Sequence, residues 1–129
     1  MKKLIMISSL FVYSSVTGES MKSEILYKWE TVAGIQWRYI GDVDTQAKYK
    51  GDVLVGRPHG IGTMFFPDGN KYVGEFINGL FHGQGIYIVA SDGSRFIGEF
   101  RVGLLWNGIL KKKDGTIDFK VVDWEKMKQ

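Results

Sequence analysis

Few residues in this chain could do chemistry, and those few recur. His59 and His82 are its two histidines. Each precedes a glycine, and both hold the same place in a repeated phrase, so a metal site or a general base is the sharp reading. Asp52, Glu75 and Glu99 recur in the same way, and paired carboxylates are what glycoside hydrolysis requires. Both readings fail on distance if the phrase is a β-hairpin. Equivalent positions then lie two strands apart, roughly 10 Å. The ligands of one ion sit about 2 Å from it, and an inverting carboxylate pair is separated by about 6.5–9.5 Å. The sequence therefore assigns no catalytic residue, no metal and no cofactor. The histidines read as turn residues with local hydrogen bonds, and the carboxylates as a solvated row. No G-x-x-x-x-G-K, G-x-S-x-G or H-E-x-x-H motif occurs.

Two groups remain as candidates for binding. Tyr49, Tyr72, Phe76, Tyr87, Phe96 and Phe100 recur with the repeat, and aromatics are common anchors of protein interfaces. Lys111, Lys112 and Lys113, with Trp106 nearby, could touch anionic lipid. Three lysines fall short of the four to eight of a typical lipid-reading cluster. The formal charge is +3, with 17 basic and 14 acidic residues. Leaving out Lys2 and Lys3 gives 15 against 14, or +1. A body this close to neutral argues against a nucleic-acid binder, which needs a basic face. There is no cysteine, so disulfide and thiolate chemistry are excluded as well.

The elements that must position these residues are written three times, over 49–71, 72–95 and 96–117. An aromatic opens each copy, a glycine follows two residues later and another seven on, and Asp-Gly closes it: Asp68-Gly69, Asp92-Gly93, Asp114-Gly115. A period of this length means one small unit stacked on itself. Tyr72 to Ile77 reads as a strand, Asn78-Gly79 as a tight turn, and Gly85 to Val89 as the returning strand. Alternation places Tyr72, Gly74 and Phe76 on one face, Gly83, Gly85 and Tyr87 on one face, and the carboxylates on the wetter side. Rings are expected to lie over the bare backbone of neighbouring glycines. In the third copy Trp106-Asn107 stands for His, one residue reads as inserted, and Leu110 takes the place of the second glycine of G-x-G. Residues 19–48 read as an N-terminal cap, with a strand over Ile35 to Val43 and a worn half-repeat at Tyr39 to Val43. Residues 118–129 read as a cap strand and a polar tail. Residues 1–18 have a basic start and a 13-residue apolar run, too short to span a bilayer comfortably, as in a cleaved secretory signal. This leads to the expectation of an exported, periplasmic or extracellular protein.

The repeat resembles the MORN (membrane occupation and recognition nexus) family, whose unit is close to Y-x-G-x-[FW]-x-x-G-x-x-H-G-x-G-x-x-x-x-x-D-G. The first copy matches at Tyr49, Gly51, Gly56, His59, Gly60, Gly62, Asp68 and Gly69. The second matches at Tyr72, Gly74, Phe76, Gly79, His82, Gly83, Gly85, Asp92 and Gly93. The third keeps Phe96, Gly98, Phe100, Gly103, Gly108, Asp114 and Gly115, and Trp106-Asn107-Gly108 resembles the final repeat of bacterial members. The resemblance implies an all-β fold, an elongated twisted antiparallel sheet of stacked hairpins. It implies binding without catalysis: a scaffold for a partner protein or, alternatively, a module for an anionic membrane surface.

Overall fold

A computed structural model describes residues 21–128 as one open, antiparallel, ten-stranded sheet. The strands are β1 (Lys22–Thr31), β2 (Gly34–Arg38), β3 (Ala47–Leu54), β4 (Arg57–Phe65), β5 (Lys71–Ile77), β6 (Leu80–Ile88), β7 (Arg95–Arg101), β8 (Leu104–Lys111), β9 (Ile117–Val122) and β10 (Glu125–Lys128). Strands β3 to β10 follow chain order across the sheet; at the other end β1 pairs with β3 and β2 forms the edge. The stacked-hairpin expectation holds for all three copies. The expected leader, residues 1–18, lies outside the described residues.

Two kinds of turn join the strands. The Asp-Gly turns fall where they are expected, and each is closed by its aspartate: Asp68, Asp92 and Asp114 accept a backbone N–H from Asn70, Ser94 and Thr116, each at 2.9 Å. The turns at the other end are Val55-Gly56, Asn78-Gly79 and Val102-Gly103, with positive φ at both residues, as a type I′ hairpin demands. Asn78 tolerates this conformation. A β-branched valine disfavours it, which is why only one of the three turns announces itself in the sequence.

Pairing sorts the side chains into two faces. The inner face holds Leu26, Ala47, Tyr49, Val53, Met64, Tyr72, Phe76 and Phe100, all buried and packed as one cluster. A flat sheet could not bury that face. Trp37 of β2 touches Gly79, where an added Cβ would lie 2.9 Å from its Nε1. Four strand spacings, about 19 Å in a flat sheet, separate β2 from β5. The sheet therefore curls until the first hairpin closes over its own inner face.

Several expectations at the ends are corrected. The strand over Ile35 to Val43 stops at Arg38, and Tyr39 to Val43 is an exposed loop held by Asp42, whose carbonyl accepts from Thr45 and Gln46. It is not a half-repeat. The polar tail after residue 123 is instead strand β10, paired with β9. In the third copy Gly108 lies opposite Gly98, as Gly85 lies opposite Gly74. Gly108 is thus the second glycine of G-x-G. The copy is one residue short at this point rather than one long, and Leu110 is a core position.

Candidate functional site

The glycine–aromatic pattern builds the inner face. Gly62 lies under the ring of Tyr49, where an added Cβ would come within 2.5 Å of its Cζ, and Gly85 lies under Tyr72 in the same way. Each hydroxyl then crosses the bare backbone to a carbonyl of its own strand. Tyr49 Oη donates to Asp52 O at 2.6 Å, and Tyr72 Oη to Glu75 O at 2.9 Å. Burial pushes both phenols well above the ordinary tyrosine range, and the adjoining Asp52 and Glu75 charges push the same way.

This packing decides the fate of the six aromatics. Tyr49 and Tyr72 are 0 % exposed, Phe76 1 % and Phe100 3 %. Phe76 meets both tyrosine rings edge-on, at 4.9 and 5.1 Å. These four are core and have no surface to offer a partner. Tyr87 and Phe96 are half-buried against the same cluster. The expected aromatic binding face is therefore corrected to the packing core of the sheet, because the curl brings ring onto ring where a flat sheet would have left them open.

The carboxylates and histidines are placed by a bulge. Between Gly74↔Gly85 and Phe76↔Phe81, Glu75 alone opposes His82, Gly83 and Gln84. The extra residues leave the Gln84 N–H without a ladder partner, and Glu75 Oε2 accepts it at 2.6 Å. Asp52 does the same for Ile61 N at 3.0 Å. The bulge also reverses the alternation, so an added Cβ on Gly83 would meet Glu75 while one on Gly85 would meet Tyr72; the two glycines do not share a face. His59 Nδ1 accepts from Asn78 N at 3.5 Å, and His82 Nδ1 from Val102 N at 3.4 Å. Each histidine thus ties its hairpin to the turn of the next. In the shorter third bulge Asn107 takes over, accepting Asp123 N at 2.9 Å. Glu99 there accepts from Arg101 Nε at 2.9 Å, which holds its carboxyl below the usual range, with Asn107 adding to the effect. Among the described residues no three His, Asp or Glu side chains come together as a metal site requires.

With its acid row and histidines engaged in holding hairpins together, the unit is a structural repeat in geometry as well as in sequence. The MORN repeat family model matches residues 49–71 and 72–94. Two MORN repeats fill the middle of this chain. The third hairpin, β7–β8, follows them and keeps their glycine pairing and turn. Curated relatives match over the same kind of short stretch. The ALS2 C-terminal-like protein of Bos taurus is 54% identical over 44 residues, 34% of this chain and 5% of the relative. An inactive protein tyrosine kinase, pTKL, of Plasmodium berghei is 54% identical over 41 residues, 31% of this chain and 3% of the relative. Alsin of Homo sapiens is 47% identical over 45 residues, 35% of this chain and 3% of the relative. The chain thus matches only a small part of each relative's length.

The outer face of the sheet carries a partly exposed apolar row. Register aligns Thr63, Val73, Ile86, Ile97 and Ile109 as one continuous row across β4 to β8. Val73 is 38 % exposed and Ile86 36 %. A second row beside it holds Lys48, Phe65, Lys71, Ile88, Arg95 and Lys111. The sequence reading missed this row, although its signal was present: a basic residue precedes the opening aromatic of every copy, at Lys48, Lys71 and Arg95. The lysine–tryptophan group that was expected is dispersed. Trp106 lies by the β9–β10 turn against Trp124, 5.5 Å away, under Arg101. Lys112 and Lys113 line a groove at the opposite hairpin end together with Asp92, Asp114 and Asp118, so their charge is offset locally. Lys111 alone joins the basic row.

Proposed function

We propose that this chain is a non-catalytic binding module that receives a partner protein on the outer face of its sheet. The observation that carries this reading is the partly exposed Val73–Ile86–Ile97–Ile109 row, set between an acidic row and a basic one. An apolar strip rimmed by polar groups is the anatomy of an interface. The MORN repeats support binding in general, and the outer-face location is our own reading. It replaces the aromatic face, whose rings are occupied in packing. A photo-cross-linking side chain in place of Ile86 tests it, with the same group in place of the exposed turn residue Val32 as control. We expect a protein to be cross-linked from position 86 and none from position 32. Cross-linking from position 32 alone, or none from position 86, would place the binding surface elsewhere.

A second reading, contact with an anionic membrane, is favoured by the cations Lys48, Lys71, Arg95 and Lys111 on the same face. Four cations are the low end of the four to eight typical of a lipid-reading cluster, which ranks this reading second.

A further inference from the structure

Arg95 and Lys111 are directly opposed across β7 and β8. Like charges in that position destabilise a strand pair. The ion pairs among the described residues are Lys28–Glu30 and Arg101–Glu99, so Lys48, Lys71, Arg95 and Lys111 have no carboxylate within ion-pairing distance there. The acids on the other flank do not relieve them. Asp52 and Glu75 are held by bulge N–H groups, and Glu99 by Arg101. The outer face therefore carries an uncompensated line of cations, about 7 Å (two residues along a strand) from the apolar row.

The geometry of that row selects a shape. Its side chains recur once per strand, about 4.8 Å apart. An α-helix laid across the strands presents one apolar position per 5.4 Å turn, so over the three steps from Val73 to Ile109 it drifts by only about 2 Å. An extended chain advances nearly 7 Å between side chains on one face and loses register within two strands. Cations two strands apart, such as Lys71 and Arg95, are roughly 10 Å apart, close to the rise of seven helical residues.

We infer that the partner on this face is an acidic amphipathic helix. Its apolar stripe lies on Val73, Ile86, Ile97 and Ile109, and its carboxylates reach Lys71, Arg95 and Lys111. The inference rests on the outer-face reading above and adds the chemistry of the occupant.

The test uses the full chain and a fluorescent helical peptide of about 20 residues, roughly 30 Å long, with leucine at i, i+3, i+4 and i+7 and glutamate on its flanks. Fluorescence anisotropy should show binding that weakens with salt, and about tenfold weaker binding to Lys71→Ser/Arg95→Ser/Lys111→Ser. Lys112→Ser/Lys113→Ser should bind as the wild type does. Lys111→Glu guards against misfolding as the explanation: it removes the clash with Arg95, so it should melt no lower than the wild type and still bind the peptide more weakly. Equal binding by the triple variant, or equal binding of a peptide with lysine for glutamate, overturns the inference. So does failure of the peptide to bind, whether or not phosphatidylserine vesicles are bound instead. The cross-link from position 86 is read independently, so loss of the helix inference and loss of the outer-face reading are distinguishable.

Discussion

At the scale of single residues, the fold turns on a ring placed over a glycine. Gly85 has an ordinary backbone conformation, so it is required only for space: the Tyr72 ring occupies the volume where its Cβ would stand. Gly85→Ala should therefore destabilise by about 1–3 kcal/mol, the range for overpacking a filled site. Ile86→Ala, one residue on and facing out, should cost less than half as much. Thermal melting of the two variants checks this, and an equal or reversed order would mean that Tyr72 can move aside. The alternation of glycine with aromatics was legible in the sequence. That four of the rings would be wholly buried was not, because alternation names a face without saying what covers it.

At the scale of the hairpin, the acid row acts as internal scaffolding. Glu75 accepts a bulge N–H that has no ladder partner, whereas Glu99 pairs with side chains that can turn to water. Glu75→Leu leaves that N–H unmatched and should cost about 1 kcal/mol or more. Glu99→Leu should cost less, since exposed ion pairs contribute little. Denaturant midpoints for the pair decide it; a larger loss at Glu99 would contradict the bulge argument. The recurrence of these carboxylates was plain from the repeat. Their purpose was hidden, because a bulge of three residues against one breaks the two-residue period by which strand faces are read.

At the scale of the whole molecule, a single sheet has no second layer and must supply its own cover. Trp37 on the edge strand β2 reaches the β5–β6 turn and joins the buried cluster. Trp37→Ala should lower stability by roughly 2 kcal/mol, about half the cost of truncating a fully buried tryptophan. It should also speed amide exchange at Gly79 and Leu80, far away in sequence. If exchange rises in β2 alone, the first hairpin is a passive edge and the curl has another cause. The basic and apolar rows lie on the opposite, outward side of the same curl.

The sequence by itself determined the all-strand architecture, the number of the central hairpins, and the positions of the Asp-Gly turns. These follow from short-range chemistry: which residues accept positive φ, which alternate, and which repeat. Only the tertiary structure decided which aromatics are core, which strand closes over them, how the third copy is registered, and that Lys48, Lys71, Arg95 and Lys111 form one line. Those outcomes depend on the bulges and the curl of the sheet. The curl arises from contacts between strands distant in sequence, such as Trp37 against Gly79, and the bulges break the two-residue alternation, so neither leaves a periodic mark on any one strand.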